Sequence, residues 1–176
     1  GTIFTGLERM DPKTGKFTHY RYKENDPTSL SFDQVRAIYE DKQGVLWIGT
    51  GSNVTNNENE SKKGGLNRFN KKTGRFTRYL HDENNPQSLI DDRVRAIFED
   101  SKGIFWIGTA GDGLHTMDRT NGVFQRHTYD PADPEKLSRP PLIKNFDWAD
   151  DNITFINEDL NNNIWIGTFG NGLSCY

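Results

Sequence analysis

The sequence predicts an all-β protein built from repeated four-stranded antiparallel units, and three observations support that fold class. The run VRAIYED at 35–41 recurs as VRAIFED at 94–100 and, more loosely, as ITFINED at 153–159. Each copy is followed by the tetrapeptide Trp-Ile-Gly-Thr and then by a Gly-Leu pair. The apolar runs are short, rich in β-branched and aromatic residues and bounded by Gly, Asn, Asp and Pro, which is typical of strands. Helical periodicity is absent from the sequence.

Each unit is interpreted as four strands, which we call A to D in chain order. Strand A is the VRAI run, and strand B is the Trp-Ile-Gly-Thr run that begins at Trp47, Trp106 and Trp165. Strand C begins at the Gly-Leu pair, and strand D is a Phe-x-x-Tyr-like run, as at 17–22 and 76–79. Along the chain these give C and D, two full sets, and a final A, B and C, so that thirteen strands are expected.

Tight turns join A to B and C to D within each unit. The A–B turns contain Gly44 and Gly103, and the third copy has asparagines at 161–163 instead. Glycine and asparagine adopt positive φ at low steric cost, which a tight hairpin requires. Gly15 and its copies are predicted to do the same between strands C and D.

The spacing of the repeats locates two insertions. The tryptophans that open strand B are equally spaced, whereas the Gly-Leu pairs, at 6, 65, 113 and 172, have a shorter middle interval. That shorter interval sets a basic unit of about 48 residues, and each longer interval contains an insertion of about 11 residues. One insertion lies within Asn53 to Lys63 and the other between Leu137 and Ile153. The repeat units are placed at about 6–64, 65–112 and 113–171, with the last unit incomplete.

Repeated four-stranded units of about 40–50 residues, with tryptophan and glycine at fixed offsets, are typical of β-propeller blades. The chain is therefore predicted to be a β-propeller segment over 1–176, of about three four-stranded antiparallel blades that form an incomplete ring. Six repeated positions in strand B are assigned to structure, with the tryptophans packing between blades: Trp47, Trp106, Trp165, Gly49, Gly108 and Gly167.

The residues that carry the repeats resemble those of a known family. The stretch VRAIFEDSKGIFWIGT at 94–109, followed closely by Gly-Asp-Gly-Leu, is similar to the two-component regulator propeller repeat, and so are the linkers NDPTSL at 25–30 and NNPQSL at 84–89. The resemblance covers nearly the whole chain in three successive repeats. The third copy departs from the others, because Thr154 stands where they have Arg36 and Arg95.

That resemblance implies a function. In this family the repeats build the periplasmic sensor region of hybrid two-component histidine kinases of Bacteroidetes, many of which sense sugars derived from polysaccharides. The expected role is therefore that of a non-enzymatic sensor fragment in the periplasm that binds an oligosaccharide and signals to a kinase outside this chain. Its expected partners are that ligand and the remaining blades of the parent chain, and a homodimer through open blade edges is a further hypothesis.

Composition argues against nucleic-acid binding, metal binding and a membrane span within this chain. With 22 basic and 25 acidic residues and a pI of about 5.8, the chain lacks the electrostatic footprint of a protein that binds nucleic acid. The four histidines show no metal-ligand spacing, so that no metal and no cofactor are expected. No apolar run approaches the roughly 18 residues of a membrane span, so that any anchor is expected outside this chain.

A propeller glycoside hydrolase or lyase and a protein-interaction scaffold are alternative functions, since fold alone does not separate them from a sensor.

The second insertion supplies the candidate ligand-binding residues. In a four-stranded blade the B–C loops and the D–A connections lie on one face, so both insertions are expected on the same face, where long loops concentrate binding residues. The second insertion combines aromatic rings with charged and amide groups, which suit a sugar with an apolar face and a rim of hydroxyls. Its candidates are Arg139, Lys144, Asn145, Phe146, Asp147, Trp148, Asp150 and Asp151.

Two alternatives remain open at other positions. Phe146 and Trp148 would also serve simply to anchor a long loop against the blade edges. Arg36 and Arg95 would either line a channel and meet an acidic ligand or pair with nearby carboxylates such as Glu40 and Glu99, and we favour the pairing.

Overall fold

The computed structural model describes residues 1–2, 4–52, 63–111, 113–130, 132–133, 137, 152–170 and 172–176. These residues form thirteen strands and no helix, which confirms the predicted all-β class. The strands are β1 (Leu7–Met10), β2 (Phe17–Tyr20), β3 (Val35–Glu40), β4 (Leu46–Gly51), β5 (Gly64–Asn70), β6 (Arg75–Tyr79), β7 (Val94–Glu99), β8 (Phe105–Thr109), β9 (Leu114–Asp118), β10 (Val123–Arg126), β11 (Ile153–Glu158), β12 (Ile164–Thr168) and β13 (Leu173–Cys175).

The strands form four separate antiparallel sheets, each joined in sequence order. We call them blade I (β1 and β2), blade II (β3 to β6), blade III (β7 to β10) and blade IV (β11 to β13). Blades II and III have all four strands, and the sheets do not close into a barrel. This is the arrangement expected of an incomplete propeller. Within the described part of the chain, no helix has the length and apolar character of a membrane span.

The A–B hairpins use the positive φ predicted for them. Gly44 has φ of 76° and Gly103 has φ of 83°, and Asn162 takes the same position in blade IV with φ of 65°. Asparagine is one of the few residues with a side chain that adopts this left-handed conformation readily. The hairpin of blade IV therefore forms without a glycine.

Consecutive blades pack face to face through their apolar side chains. Strand β7 packs against β3 and β4 of the preceding blade, and β11 packs against β7 and β8. Strand A of each blade thus lies where neighbouring blades approach most closely, as the inner strand of a propeller does. The core between blades II and III contains Trp47, Leu66, Leu89, Val94, Ile97, Phe105, Ile107, Met117 and Phe124.

The glycine of Trp-Ile-Gly-Thr permits this close packing. A Cβ atom placed on Gly49 would lie 2.7 Å from Val94 Cγ1 of the next blade and 3.2 Å from Ala37 Cβ. Gly108 has the same relation to Ile153, the first residue of β11. A side chain at either glycine would overlap the first residue of the following strand A, so the repeated glycine is a packing requirement.

The linkers between blades are held by the outer strand of the following blade. Phe76 N–H on β6 donates to the Thr28 carbonyl, and Phe124 N–H on β10 donates to the Gln87 carbonyl, each bond being 2.8 Å long. Leu30 and Leu89, at the ends of the two linkers, are fully buried. The Asn-x-Pro-x-Ser-Leu linkers are therefore ordered parts of the blades that they precede.

Candidate ligand site

All eight candidates from the second insertion lie outside the described residues: Arg139, Lys144, Asn145, Phe146, Asp147, Trp148, Asp150 and Asp151. The first insertion also lies outside them, apart from its last residue, Lys63, whose carbonyl accepts a hydrogen bond from Ser52 N–H. The proposed role of these residues stays a prediction. The six repeated positions of strand B are all described.

The strand B tryptophan of each blade is fixed by an aspartate six residues earlier. The indole N–H groups of Trp47, Trp106 and Trp165 donate to the carboxylates of Asp41, Asp100 and Asp159 at 2.8, 2.9 and 2.9 Å. Each carboxylate also accepts backbone N–H groups of its own A–B hairpin, for example from Val45, Ile104 and Asn163. The Asp–Trp pair thus joins the hairpin to strand B inside one blade.

Two arginines on the inner strands occupy a special position. Arg36 on β3 and Arg95 on β7 each stand where the register with strand B shifts by one residue, as in a β-bulge. A bulge inserts an extra residue into a strand and redirects its side chain. Both arginines are half-buried, and both lie near the start of strand A, at the end of the blade where the first insertion begins.

The two guanidinium groups converge on consecutive carbonyl groups. Arg36 Nε donates to the Gly51 carbonyl of its own blade at 3.1 Å, and its Nη2 donates to Gln34 Oε1 at 2.9 Å. Arg95 reaches back to the preceding blade, and its Nη2 donates to the Ser52 carbonyl at 2.6 Å. Two cations from adjacent blades therefore meet where β4 ends and the first insertion begins.

The expected pairing of these arginines with Glu40 and Glu99 is wrong. Glu40 pairs with Lys71 at 2.9 Å, and Glu99 pairs with Arg119 at 2.7 Å. Four residues along an extended strand span about 13 Å, so residues four apart share a face but lie at opposite ends of the strand. The carboxylates of Glu40 and Glu99 are consequently out of reach of the arginines on their own strands.

Electrostatics distinguish Arg95 from an ordinary surface arginine. Burial and, to a smaller extent, the positive charges of Arg36 and Arg93 lower the pKa of Arg95 to about 10, while Asp91 acts in the opposite sense. Burial also lowers the pKa of Arg36. Arg93 forms a two-bond ion pair with Asp91, at 2.9 and 2.6 Å. Among the described residues, no carboxylate lies within ion-pair distance of Arg95.

The opposite end of the same two blades carries an interblade groove of about 500 Å³, whose lining includes Gln43, Arg68, Asp118 and Thr120. Asp41 and Arg119, which also line this groove, belong to an ion network between the blades. Arg119 donates to Asp41 of blade II at 2.9 Å and to Glu99 of its own blade at 2.7 Å, and it lies 4.9 Å from the centre of the Phe105 ring. Because these groups satisfy one another, we assign them to the junction between blades.

Sequence reasoning did not find the arginines that hold the linkers. Arg78 on β6 and Arg126 on β10 donate to backbone carbonyls and serine hydroxyls of the linker before their own blade, among them those of Ser29 and Ser88. A signal was available, because Phe-x-Arg occurs at the same position of strand D in both blades.

The geometry defines a class of protein: a segment of a β-propeller with charged residues at the inner end of its blades. Within it, residues 29–52 and 88–111 match the family model of the two-component regulator propeller. Each repeat begins at the end of a linker, includes strands A and B and ends just beyond strand B. A comparison with curated proteins found no match.

Solved structures share the fold. The extracellular domain of a hybrid two-component system from B. thetaiotaomicron is 23% identical, with a TM-score of 0.63, and the match covers 98% of this chain and 19% of that one. PorZ, a surface component of the type IX secretion system of Porphyromonas gingivalis, is 19% identical with a TM-score of 0.57, over 99% and 23% of the two chains.

Virginiamycin B lyase from Staphylococcus aureus is 17% identical to this chain, with a TM-score of 0.54, over 96% and 47% of the two chains. At these identities the likeness establishes the fold alone. The chain spans about a fifth of the length of the B. thetaiotaomicron protein.

Proposed function

We propose that this chain is part of the extracytoplasmic, periplasmic sensor region of a hybrid two-component histidine kinase. The observation that carries the proposal is the match of residues 29–52 and 88–111 to the family model of the two-component regulator propeller. It is supported by the fold shared with the extracellular domain of a hybrid two-component system. In this proposal the chain is not itself an enzyme, and the kinase activity resides outside it.

The proposed signal ligand is an oligosaccharide. It would bind at the end of the blades that carries both insertions and favour one arrangement of the sensor over another. A ligand shifts such an equilibrium only by its difference in affinity for the two arrangements. The proposal therefore requires that the ligand bind more tightly to the signalling arrangement of the sensor than to the other arrangement.

The second insertion is proposed to contribute to this binding through its aromatic and charged residues. Substituting Trp148 or Asp147 by Ala is expected to weaken saccharide binding by about tenfold, which corresponds to the loss of one good contact. Unchanged affinity in a variant that unfolds at the wild-type denaturant concentration would remove these two residues from the site.

Calorimetry with a panel of oligosaccharides tests the function directly. Saturable binding without any change in the saccharide is the expected result. Release of shortened or unsaturated products would instead favour an enzymatic function, an alternative suggested by the propeller fold of virginiamycin B lyase. Product analysis after prolonged incubation therefore belongs to the same experiment.

A further inference from the structure

We propose that Arg36 and Arg95 bind an anionic group, a carboxylate or a sulfate, on the saccharide ligand. This inference rests on the proposed sensor function and specifies its ligand as an acidic oligosaccharide. Its basis is geometric, because guanidinium groups from two adjacent blades converge on the Gly51 and Ser52 carbonyls, where β4 ends and the first insertion begins.

The donor capacity of Arg95 supports anion binding. A guanidinium group has five N–H donors in a fixed planar fork. Arg95 makes one hydrogen bond in the described part of the chain, through Nη2 to the Ser52 carbonyl, and it is only half-buried. The remaining donors suit the two-bond recognition of a carboxylate or sulfate, in which arginine excels.

A buried hydroxyl lies beside this cation. Ser52 is 1% exposed, and its Oγ has no hydrogen-bond partner among the described residues. Leaving such a group unsatisfied costs about 1–3 kcal/mol. A ligand oxygen near the Ser52 carbonyl would give this hydroxyl an acceptor.

The third copy of the repeat shows that the blade does not need the charge at this position. Blade IV has the same register shift, between Ile153 and Phe155, with Thr154 in the place of the arginine. The Thr154 hydroxyl donates to the Gly167 carbonyl at 3.1 Å. Gly167 corresponds to Gly49, so Thr154 bonds a carbonyl two residues before the one equivalent to Gly51, and blade IV forms the same register shift without a charge at this position.

Placing two cations side by side has an electrostatic cost that an anion would remove. The positive charge of Arg36, together with that of Arg93, contributes to lowering the pKa of Arg95. A bound carboxylate or sulfate would reverse the sign of this interaction, and its binding should weaken as ionic strength increases.

The test is calorimetry on the full chain with three tetrasaccharides: tetragalacturonate, a sulfated galactotetraose and neutral galactotetraose. We expect at least one acidic saccharide to bind at least tenfold more tightly than the neutral one. R95T and R36T should each weaken its binding about tenfold, and the double variant about a hundredfold, as charge-assisted hydrogen bonds are lost. R95K, which keeps the charge without the fork, should fall between wild type and R95T.

The matched control is R75T, which makes the same chemical change at an exposed position on the outer strand β6 and should leave affinity unchanged. Equal affinity for all three saccharides, unaffected by R95T, would overturn the anionic assignment while the sensor proposal stands. Sodium sulfate binding as tightly as the acidic saccharides would mark a site for inorganic anions and overturn it too. Failure of every saccharide to bind would contradict both proposals for this chain.

Discussion

Blades II and III have the same four-stranded topology but differ in some of their side chains. The side chains that differ show which interactions the fold requires and which residues it accepts in making them. Both blades have the aspartate–tryptophan pair and the arginine that holds the linker. They differ at the residue after the Gly-Leu pair, which is Asn67 in blade II and His115 in blade III.

Asn67 and His115 perform the same task. Asn67 Oδ1 accepts the Ser31 N–H at 2.9 Å, and His115 Nε2 accepts the Ile90 N–H at 3.1 Å. Both side chains are fully buried, and each accepted N–H group follows the leucine that ends a linker. The fold requires an acceptor aimed at the linker, and two different groups supply it. The acceptor of the strand B indole N–H, in contrast, is an aspartate carboxylate in each of blades II, III and IV.

The largest expected effect comes from removing the aspartate that also joins the two blades. D41A should lower the free energy of unfolding by about 4 kcal/mol, because it orphans the Trp47 indole and removes one partner from the mostly buried Arg119. D100A should cost about 2 kcal/mol, since Asp100 makes no ion pair among the described contacts. Urea unfolding measures both variants, and equal losses would contradict the role assigned to the Arg119 network.

The contact between the two blades is tested next. G49A should lower the free energy of unfolding by about 2–3 kcal/mol, because the new methyl group would overlap Val94. Combining G49A with V94A should cost less than the sum of the two single losses, since the smaller side chain makes room for the methyl group. Strict additivity of the two losses would show that overlap with Val94 is not the reason why a methyl group at position 49 is destabilising.

The difference between Asn67 and His115 predicts a dependence on pH. Burial lowers the pKa of His115 to about 4, against 6.5 in an ordinary environment. The folded state therefore favours the neutral ring, so this stabilisation is complete above pH 6.5 and is lost as the pH falls toward 4. H115N, which copies blade II, should remove this loss and be more stable than wild type by about 2 kcal/mol at pH 4.5, relative to their difference at pH 7.5.

The comparison between H115N and wild type is needed because a second group acts in the opposite direction. Burial raises the pKa of Asp92 to about 6, so its contribution is complete below its unfolded pKa and is lost as the pH rises through 6. Asp92 is present in both proteins, and its effect cancels in their difference. Parallel stability profiles from pH 7.5 to 4.5 would mean that His115 does not titrate with folding.

The smallest expected effect on stability is that of R36T. Thr154 occupies this position in blade IV without a charge, so the loss of the two Arg36 hydrogen bonds should lower the free energy of unfolding by less than about 1 kcal/mol. Thermal and urea unfolding would both detect a larger change. A loss of more than about 2 kcal/mol would assign Arg36 to the structure of blade II.

The sequence predicts the repeated features well because each is determined locally. Gly44, Gly103 and Asn162 set hairpins within a few residues, and the tetrapeptide Trp-Ile-Gly-Thr marks strand B in blades II, III and IV. The partners of Arg36 and Arg95 were predicted wrongly, because closeness in sequence is not closeness in space along an extended strand. The bond from Arg95 to Ser52 joins residues 43 positions apart in adjacent blades, and spacing within one repeat cannot reveal it.

The glycine contact between blades bears on how such a chain changes over generations. Gly49 meets Val94 and Gly108 meets Ile153 in the same manner, so the trailing surface of one blade matches the leading surface of the next. A tandem duplication of the coding unit for one blade would thus supply a blade whose two interfaces already fit its neighbours. Lineages carrying such repeats can therefore gain or lose blades by recombination.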